Sequence, residues 1–127
     1  MKKLLFDTNV LIDYMQGLGK ALLFLEQNKD HDWYISTINI TELYAGIRNS
    51  EEEKMISMLL QLFTVLSIDS DMAILAGKYK QQYGKSHGVC IADATIAALT
   101  LTNNLELVTC NKKHFPNLKN VTIPYKK

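Results

Sequence analysis

The stretch from Gly88 to Leu101, GVCIADATIAALTL, constrains the fold of this chain more than any other. Its residues are apolar or small almost all the way round, and a helix that is hydrophobic on every face belongs in the interior of a domain. Asp93 lies in the middle of this stretch. An unpaired carboxylate removed from water is unfavourable by several kcal/mol or gives up its charge. The position therefore requires a cation, a basic side chain or a water-filled cleft.

Length and composition restrict the class of protein. With 127 residues the chain can form one domain, expected to span residues 1–127, and is too short for two. An apolar fraction of 47% and a charged fraction of 21% are typical of soluble globular proteins. No apolar run approaches the ~20 residues of a membrane helix, and Leu4–Phe6 is too short a run for a signal peptide. Because two cysteines are also too few for a disulfide framework, we expect a cytoplasmic protein without a membrane partner.

Strand-like and helix-like segments alternate along the chain. The pattern predicts strands at 3–6, 33–36, 64–68, 107–109 and 121–123, and helices at 10–15, 20–28, 38–48, 50–63, 72–83 and 88–101. Such alternation indicates an α/β fold with a central, mostly parallel sheet flanked by helices on both faces. Ligand sites of such sheets lie beyond the carboxyl ends of the strands. Asp7 follows the first predicted strand there, and Asn111 follows the strand at 107–109.

Three acidic residues are candidates for a site, and each also has a local structural interpretation to be weighed. Asp7 could simply cap the first helix, and Glu42 could complete a capping box with Asn39 as the N-cap. Asp93 has the weakest local interpretation, because it lies away from the predicted helix ends with no lysine or arginine one turn away. Three carboxylates from separate elements, at least two in apolar surroundings, suit a hard divalent cation such as Mg²⁺.

Four segments, FDTN, STINITELYAG, IADATIAA and LVTCNKKHF, together resemble the four motifs of the PIN domain. They are most similar to those of the VapC toxins of bacterial toxin–antitoxin pairs, and the resemblance covers essentially the whole chain. It implies an α/β sandwich and a Mg²⁺-dependent endoribonuclease, with Mn²⁺ as a possible substitute metal. It also implies an RNA substrate, inhibition by a cognate VapB-like antitoxin, and assembly into homodimers and toxin–antitoxin hetero-oligomers.

The resemblance also assigns roles to individual residues. Asp7, Glu42 and Asp93 match the acidic residues of the family, so Asp7 and Asp93 would hold the metal and Glu42 would orient or deprotonate a water. The fourth position, often an aspartate, is Asn111 here, and Thr109 matches the Thr or Ser two residues earlier. Both would position ligands. Because Asn111 adds no charge, the three carboxylates are expected to balance one resident metal ion rather than two.

Three other interpretations compete with a metal-dependent nuclease. The spacings His87-x-x-Cys90 and Cys110-x-x-x-His114 occur in zinc sites, although a buried free cysteine commonly acts as a small hydrophobic residue. A phosphatase that uses the aspartate of FDTN as a nucleophile usually needs a second acid where Asn9 stands. The third alternative is a PIN-like module that binds RNA or a partner with little or no cleavage, which the missing fourth acid favours.

Charge and hydrophobicity predict two contact surfaces. Segments 72–92 and 107–127 contain lysines and histidines but no acid, and we expect Lys85, Lys112 and Lys113 to contact RNA phosphates. Two apolar helical segments, 20–28 and 56–63, predict a groove for an amphipathic antitoxin helix, whose arginine could reach the carboxylates. The candidate groove residues are Leu22, Leu25, Met55 and Met58.

Overall fold

A five-stranded parallel sheet forms the centre of the computed structural model, which describes residues 1–127. Its strands are β1 (Lys3–Phe6), β2 (Asp32–Ser36), β3 (Thr64–Leu66), β4 (Glu106–Val108) and β5 (Val121–Thr122). Their spatial order is β3-β2-β1-β4-β5, so β1 is central and pairs with β2 and β4. A strand covered on both faces is expected to be continuously apolar, and Leu4, Leu5 and Phe6 are all fully buried.

Helices cover both faces of the sheet, which confirms the predicted α/β architecture. They are α1 (Thr8–Met15), α2 (Gly19–Gln27), α3 (Thr37–Ala45), α4 (Ser50–Leu60), α5 (Ser70–His87) and α6 (Ile91–Thr102), with a 3₁₀ helix at Lys112–His114. Because successive strand residues point to opposite faces, Leu5 packs with α5 and α6, whereas Leu4 and Phe6 pack with residues of α1 to α4. No helix combines the length and the apolar character needed to cross a bilayer.

The junction between α5 and α6 differs from its prediction. The sequence predicted a helix end at Tyr83 and a turn at 84–88, but α5 continues through Gly84 to His87. A glycine inside a helix costs about 1 kcal/mol, and the extensive packing of α5 on α6 offsets that cost. The chain reverses instead at Gly88, whose φ of +65° lies in the left-handed region that glycine adopts without a steric penalty.

Candidate active site

Asp7 and Thr109 lie side by side because they follow two paired strands. The register aligns Phe6 with Val108, and the Asp7 N–H donates to the Val108 carbonyl at 2.9 Å. Asp7 is the N-cap of α1, with its carboxylate accepting from the Thr8 N–H at 2.8 Å. The Thr109 hydroxyl donates to the other carboxylate oxygen, also at 2.8 Å. This buried carboxylate therefore has both a capping role and a fixed orientation.

Thr109 also organises the loop that follows β4. Its Oγ1 accepts from the Asn111 N–H at 3.0 Å, and the Asn9 side chain donates to Asp7 at 3.3 Å. The Asn9 side-chain oxygen Oδ1 accepts from the Cys110 N–H at 3.3 Å, which ties the same loop to α1. The Asn111 side chain itself is exposed and makes no hydrogen bond within the chain. The Asn111 backbone is thus held beside Asp7, while the side-chain amide is available to a ligand.

Glu42 projects from the second turn of α3 and is exposed. The predicted capping box with Asn39 as N-cap is wrong, because Ser36 is the cap and Asn39 is the reciprocal third residue. The helix starts earlier than predicted because Ser36 ends β2 and its hydroxyl accepts from the Asn39 N–H at 3.1 Å. Glu42 is therefore left without a capping role.

A chain of hydrogen bonds connects this cap to Glu42. The Asn39 amide donates to Thr8 Oγ1 at 2.8 Å, and the Thr8 hydroxyl donates to Glu42 Oε1 at 2.7 Å. Both Asn39 and Thr8 are buried, so the bond between them is shielded from water, whereas the bond to the exposed Glu42 is partly buried. The sequence predicted Asn39 only as a possible helix cap and indicated no contact of Asn39 or Thr8 with Glu42. The Ser-x-x-Asn spacing at 36–39 was the available signal, since it fits a capping box.

Asp93 occupies the first turn of α6 rather than its middle, which corrects the prediction from sequence. α6 starts at Ile91, Cys90 is its N-cap, and the Cys90 N–H and thiol lie 3.4 and 3.1 Å from Asp93 Oδ2. A carboxylate in this position is also stabilised by the positive end of the helix dipole. The side chain is 17% exposed, and His114 Nδ1 lies 3.7 Å from its Oδ2. Asp93 thus has a local structural role in addition to facing the site.

The three carboxylates share one electrostatic environment. Burial raises the pKa of Asp7, hydrogen bonds from Thr109 and Thr8 oppose that rise, and the negative charges of Asp93 and Glu42 add to it. Asp93 and Glu42 are therefore both close enough to Asp7 to disfavour its ionised form. A bound cation would remove this repulsion.

The donor set fits a hard cation that retains water ligands. No three His, Cys, Asp or Glu side chains are close enough together to hold a metal by themselves. Mg²⁺ needs only one or two protein carboxylates, because it usually keeps several waters. A closed zinc site takes four protein ligands, and the two cysteines lie in different surroundings, with Cys90 beside Asp93 and Cys110 beside Tyr125. The arrangement therefore fits Mg²⁺ and not structural zinc.

Two apolar hollows lie on the helical surface of α1 to α4. One, of about 400 Å³, is bordered by Glu42 and lies between α1, α3 and α4. Its apolar lining residues are Ile12, Met15, Leu43, Ile47, Met55 and Ile56. The other lies between α2 and the end of α4, and Leu22, Leu25 and Leu62 contribute to it. Of the residues predicted to form one antitoxin groove, only Met55 lines the hollow that reaches a site carboxylate, because α2 packs beyond α1.

Comparisons with known proteins place these observations in context. The family model described as "PIN domain" matches residues 4–121. Ribonuclease VapC1 of Methanocaldococcus jannaschii is 35% identical, over 92% of this chain and 82% of that protein. Ribonuclease VapC10 of Mycobacterium tuberculosis is 32% identical, over 96% of this chain and 92% of that protein. The solved structure of a toxin–antitoxin complex from Klebsiella pneumoniae aligns with a TM-score of 0.83 at 32% identity, covering 97% of this chain and 98% of that one.

Proposed function

We propose that this chain, which belongs to the PIN domain family together with the VapC ribonucleases, is the Mg²⁺-dependent endoribonuclease toxin of a VapBC-type pair. The observation that carries the proposal is the buried Asp7 at the carboxyl end of β1, which is fixed by Thr109 and lies within electrostatic range of Glu42 and Asp93. The proposal takes residues 1–127 as one domain, since Tyr125 packs against the core that Leu4 and Phe6 share with α1 to α4. It also keeps the expected cytoplasmic location.

Asp7 and Asp93 would hold the metal ion, and Thr109 keeps Asp7 oriented for this role. When bound, Mg²⁺ or Mn²⁺ supplies a Lewis acid for the scissile phosphate and lowers the pKa of a coordinated water. Asn111 offers a neutral amide rather than a fourth charge, so the three carboxylates suit one divalent ion. Its exposed side chain is able to donate a hydrogen bond to a phosphate oxygen of the RNA.

Glu42 is suited to handle the proton of the attacking water. Thr8 donates to Oε1 of Glu42, and no group of the chain binds Oε2. The Thr8–Asn39 bond fixes the hydroxyl, so it donates to Glu42 rather than rotating freely. Glu42 Oε2 would therefore orient the water and accept its proton as the phosphodiester bond breaks.

The most direct test compares two conservative substitutions at helix N-termini. Asp93→Asn should lower Mg²⁺-dependent RNA cleavage by at least about 100-fold, since even outer-shell partners of metal sites contribute about 10- to 100-fold. Asp69 caps α5 away from the site, and Asp69→Asn should cleave like the wild type, because asparagine caps equally well. Full activity in Asp93→Asn would refute the assignment of Asp93 as a metal ligand. A wild-type protein that binds RNA without cutting it would favour the non-cleaving module.

The proposed antitoxin contact is the hollow bordered by Glu42. An apolar antitoxin segment in this hollow would bring an arginine within reach of Glu42 and the carboxylates behind it. The similarity to a solved toxin–antitoxin complex supports such a partner, and with it the hetero-oligomers and toxin homodimers expected from the family.

Two methionines of α4 provide a matched test of this surface. Met55 lines the hollow and is 46% exposed, whereas Met58 is 63% exposed on the same helix and lines neither hollow. Met55→Gln should weaken antitoxin binding and relieve inhibition, and Met58→Gln should change neither. Equal effects of the two substitutions on the dissociation constant would assign antitoxin binding to another surface.

A further inference from the structure

A row of three rings runs along one face of α5 and is only partly explained by core packing. Tyr79, Tyr83 and His87 are spaced four residues apart, so they lie above one another on the helix. The ring centroids are 4.9 Å apart for Tyr79–Tyr83 and 5.7 Å apart for Tyr83–His87. Tyr79 is buried, Tyr83 is half-buried and His87 is exposed. The row therefore leaves the core and reaches solvent at the carboxyl end of α5.

A short turn joins the exposed end of this row to the first residues of α6, where Asp93 lies. His87 is followed by the Gly88–Cys90 turn, and Cys90 contacts Asp93. At the other end of the row, the Tyr79 hydroxyl donates to the Pro116 carbonyl at 2.5 Å, just beyond the 3₁₀ helix whose His114 faces Asp93. The row of rings therefore runs from the segment after the 3₁₀ helix to the turn before α6.

Two lysines of the 3₁₀ helix, Lys112 and Lys113, carry uncompensated positive charge. Both are exposed, and neither forms an ion pair or a side-chain hydrogen bond. Lys85 is two residues from both Tyr83 and His87, so it points to the opposite side of α5. Exposed rings next to unpaired cations are the combination by which proteins bind single-stranded nucleic acid, with bases stacked on rings and phosphates near the lysines.

The His87 ring also makes two contacts that restrict its rotation. The Ser86 hydroxyl lies 2.7 Å from His87 Nδ1, and the Tyr83 ring meets the imidazole edge-on at 84°. A ring restrained in this way loses little conformational entropy when a flat ligand covers its face. The two perpendicular rings form a corner in which a base can stack on one ring while its edge meets the other.

We propose that Tyr83 and His87 form a stacking site for an unpaired base of the RNA, with Lys112 and Lys113 near the flanking phosphates. The proposal rests on the proposed ribonuclease function and adds a base-binding subsite to it. Because every base has a π-face, the site contributes affinity and places the strand across Asp93 without selecting a particular base.

Two labelled probes separate base stacking from charge. One is a single-stranded RNA of about 12 nucleotides, and the other is the same ribose–phosphate chain with every base removed. Binding is measured in EDTA, so that no cleavage occurs. The ratio of the two dissociation constants reports the contribution of the bases. In the wild type the RNA should bind at least about 5-fold more tightly than the abasic chain, the lower end of the range for one stacked base.

The variants then assign that ratio to the proposed rings. His87→Ala and Tyr83→Leu should each lower the ratio toward one, whereas Tyr83→Phe, which keeps the ring, should retain it. His87 is exposed, so His87→Ala tests the site without disturbing the core. Lys112→Gln should weaken binding of both probes alike, since it removes only charge. A wild-type ratio of one, or ratios unchanged in both His87→Ala and Tyr83→Leu, would overturn the proposal.

Cleavage in Mg²⁺, measured on the same proteins, keeps this result separate from the proposed function. If the wild type cleaves RNA but neither ring substitution changes the ratio, the proposed nuclease function is supported and the stacking site is refuted. If both ring substitutions lower the ratio but the wild type cuts no RNA, the stacking site is supported and the proposed nuclease function is refuted.

Discussion

Replacing Tyr125 with phenylalanine should destabilise the protein by removing one hydroxyl. The Tyr125 hydroxyl donates to Asp13 Oδ2 at 2.7 Å, and Lys127 Nζ lies 3.0 Å from the same oxygen. Burial raises the pKa of Tyr125, as does its bond to the Asp13 carboxylate, so the phenol stays protonated and keeps donating at neutral pH. These bonds hold the C-terminal segment against α1, over the core that Leu4 and Phe6 share with α1 to α4.

The size of the effect follows from the exposure of the partners. A hydrogen bond to a charged group contributes about 1.5–3 kcal/mol. In Tyr125→Phe the Asp13 side chain, which is 10% exposed, keeps its ion pair with Lys127, whose side chain is 52% exposed. The lower end of that range therefore applies. The entropy of unfolding of 127 residues is about 270 cal/mol/K at roughly 2.1 cal/mol/K per residue, so a loss of about 1.5 kcal/mol lowers Tm by about 6 °C.

Thermal unfolding of Tyr125→Phe and of Tyr14→Phe tests this estimate. Tyr14 packs against the same core, but its hydroxyl makes no hydrogen bond, so its loss should change Tm by far less. Adding Asp13→Asn completes a double-mutant cycle, in which residues in contact show coupling of about 0.5–3 kcal/mol. Equal Tm changes in the two Tyr→Phe variants, with no coupling to Asp13, would refute the stabilising role of this bond.

Three other substitutions test the site and its surroundings. Because burial raises the pKa of Asp7 in the metal-free fold, its stabilising contribution is present below the unfolded pKa of 3.8 and is lost as pH rises through the folded pKa. In EDTA, the Tm of Asp7→Asn should therefore rise relative to that of the wild type as the pH increases from about 4 to 7. A Tm difference that falls over this range would contradict this. Cys90→Ser should preserve the α6 cap, whereas Cys90→Ala should lower the free energy of unfolding by about 1 kcal/mol in urea; equal values would show that the thiol does not cap. Changing Lys85, Lys112 and Lys113 to glutamine should reduce the steepness of log K against log salt by about 0.7 per lysine, and an unchanged slope would assign them to solvated surface.

The fold class was predictable from local sequence alone. A buried parallel strand and a helix that is apolar on every face both leave periodic patterns, and β1 and α6 carry them. Parallel strands also end at a common edge, so the positions of Asp7 and Asn111 after two such strands predicted a site at that edge. These inferences needed no knowledge of which distant residues touch.

The boundaries and hydrogen-bond partners depended on tertiary structure. Asp93 was expected in mid-helix because the apolar composition of 88–101 is continuous, yet Gly88 turns left-handed and α6 begins only after Cys90. Glu42 receives its hydrogen bond from Thr8 across 34 residues, and the buried Asp13 receives one from Tyr125 across 112. Sequence periodicity reports which face of an element is buried, but the partner of a polar group is decided only when packing brings distant segments together.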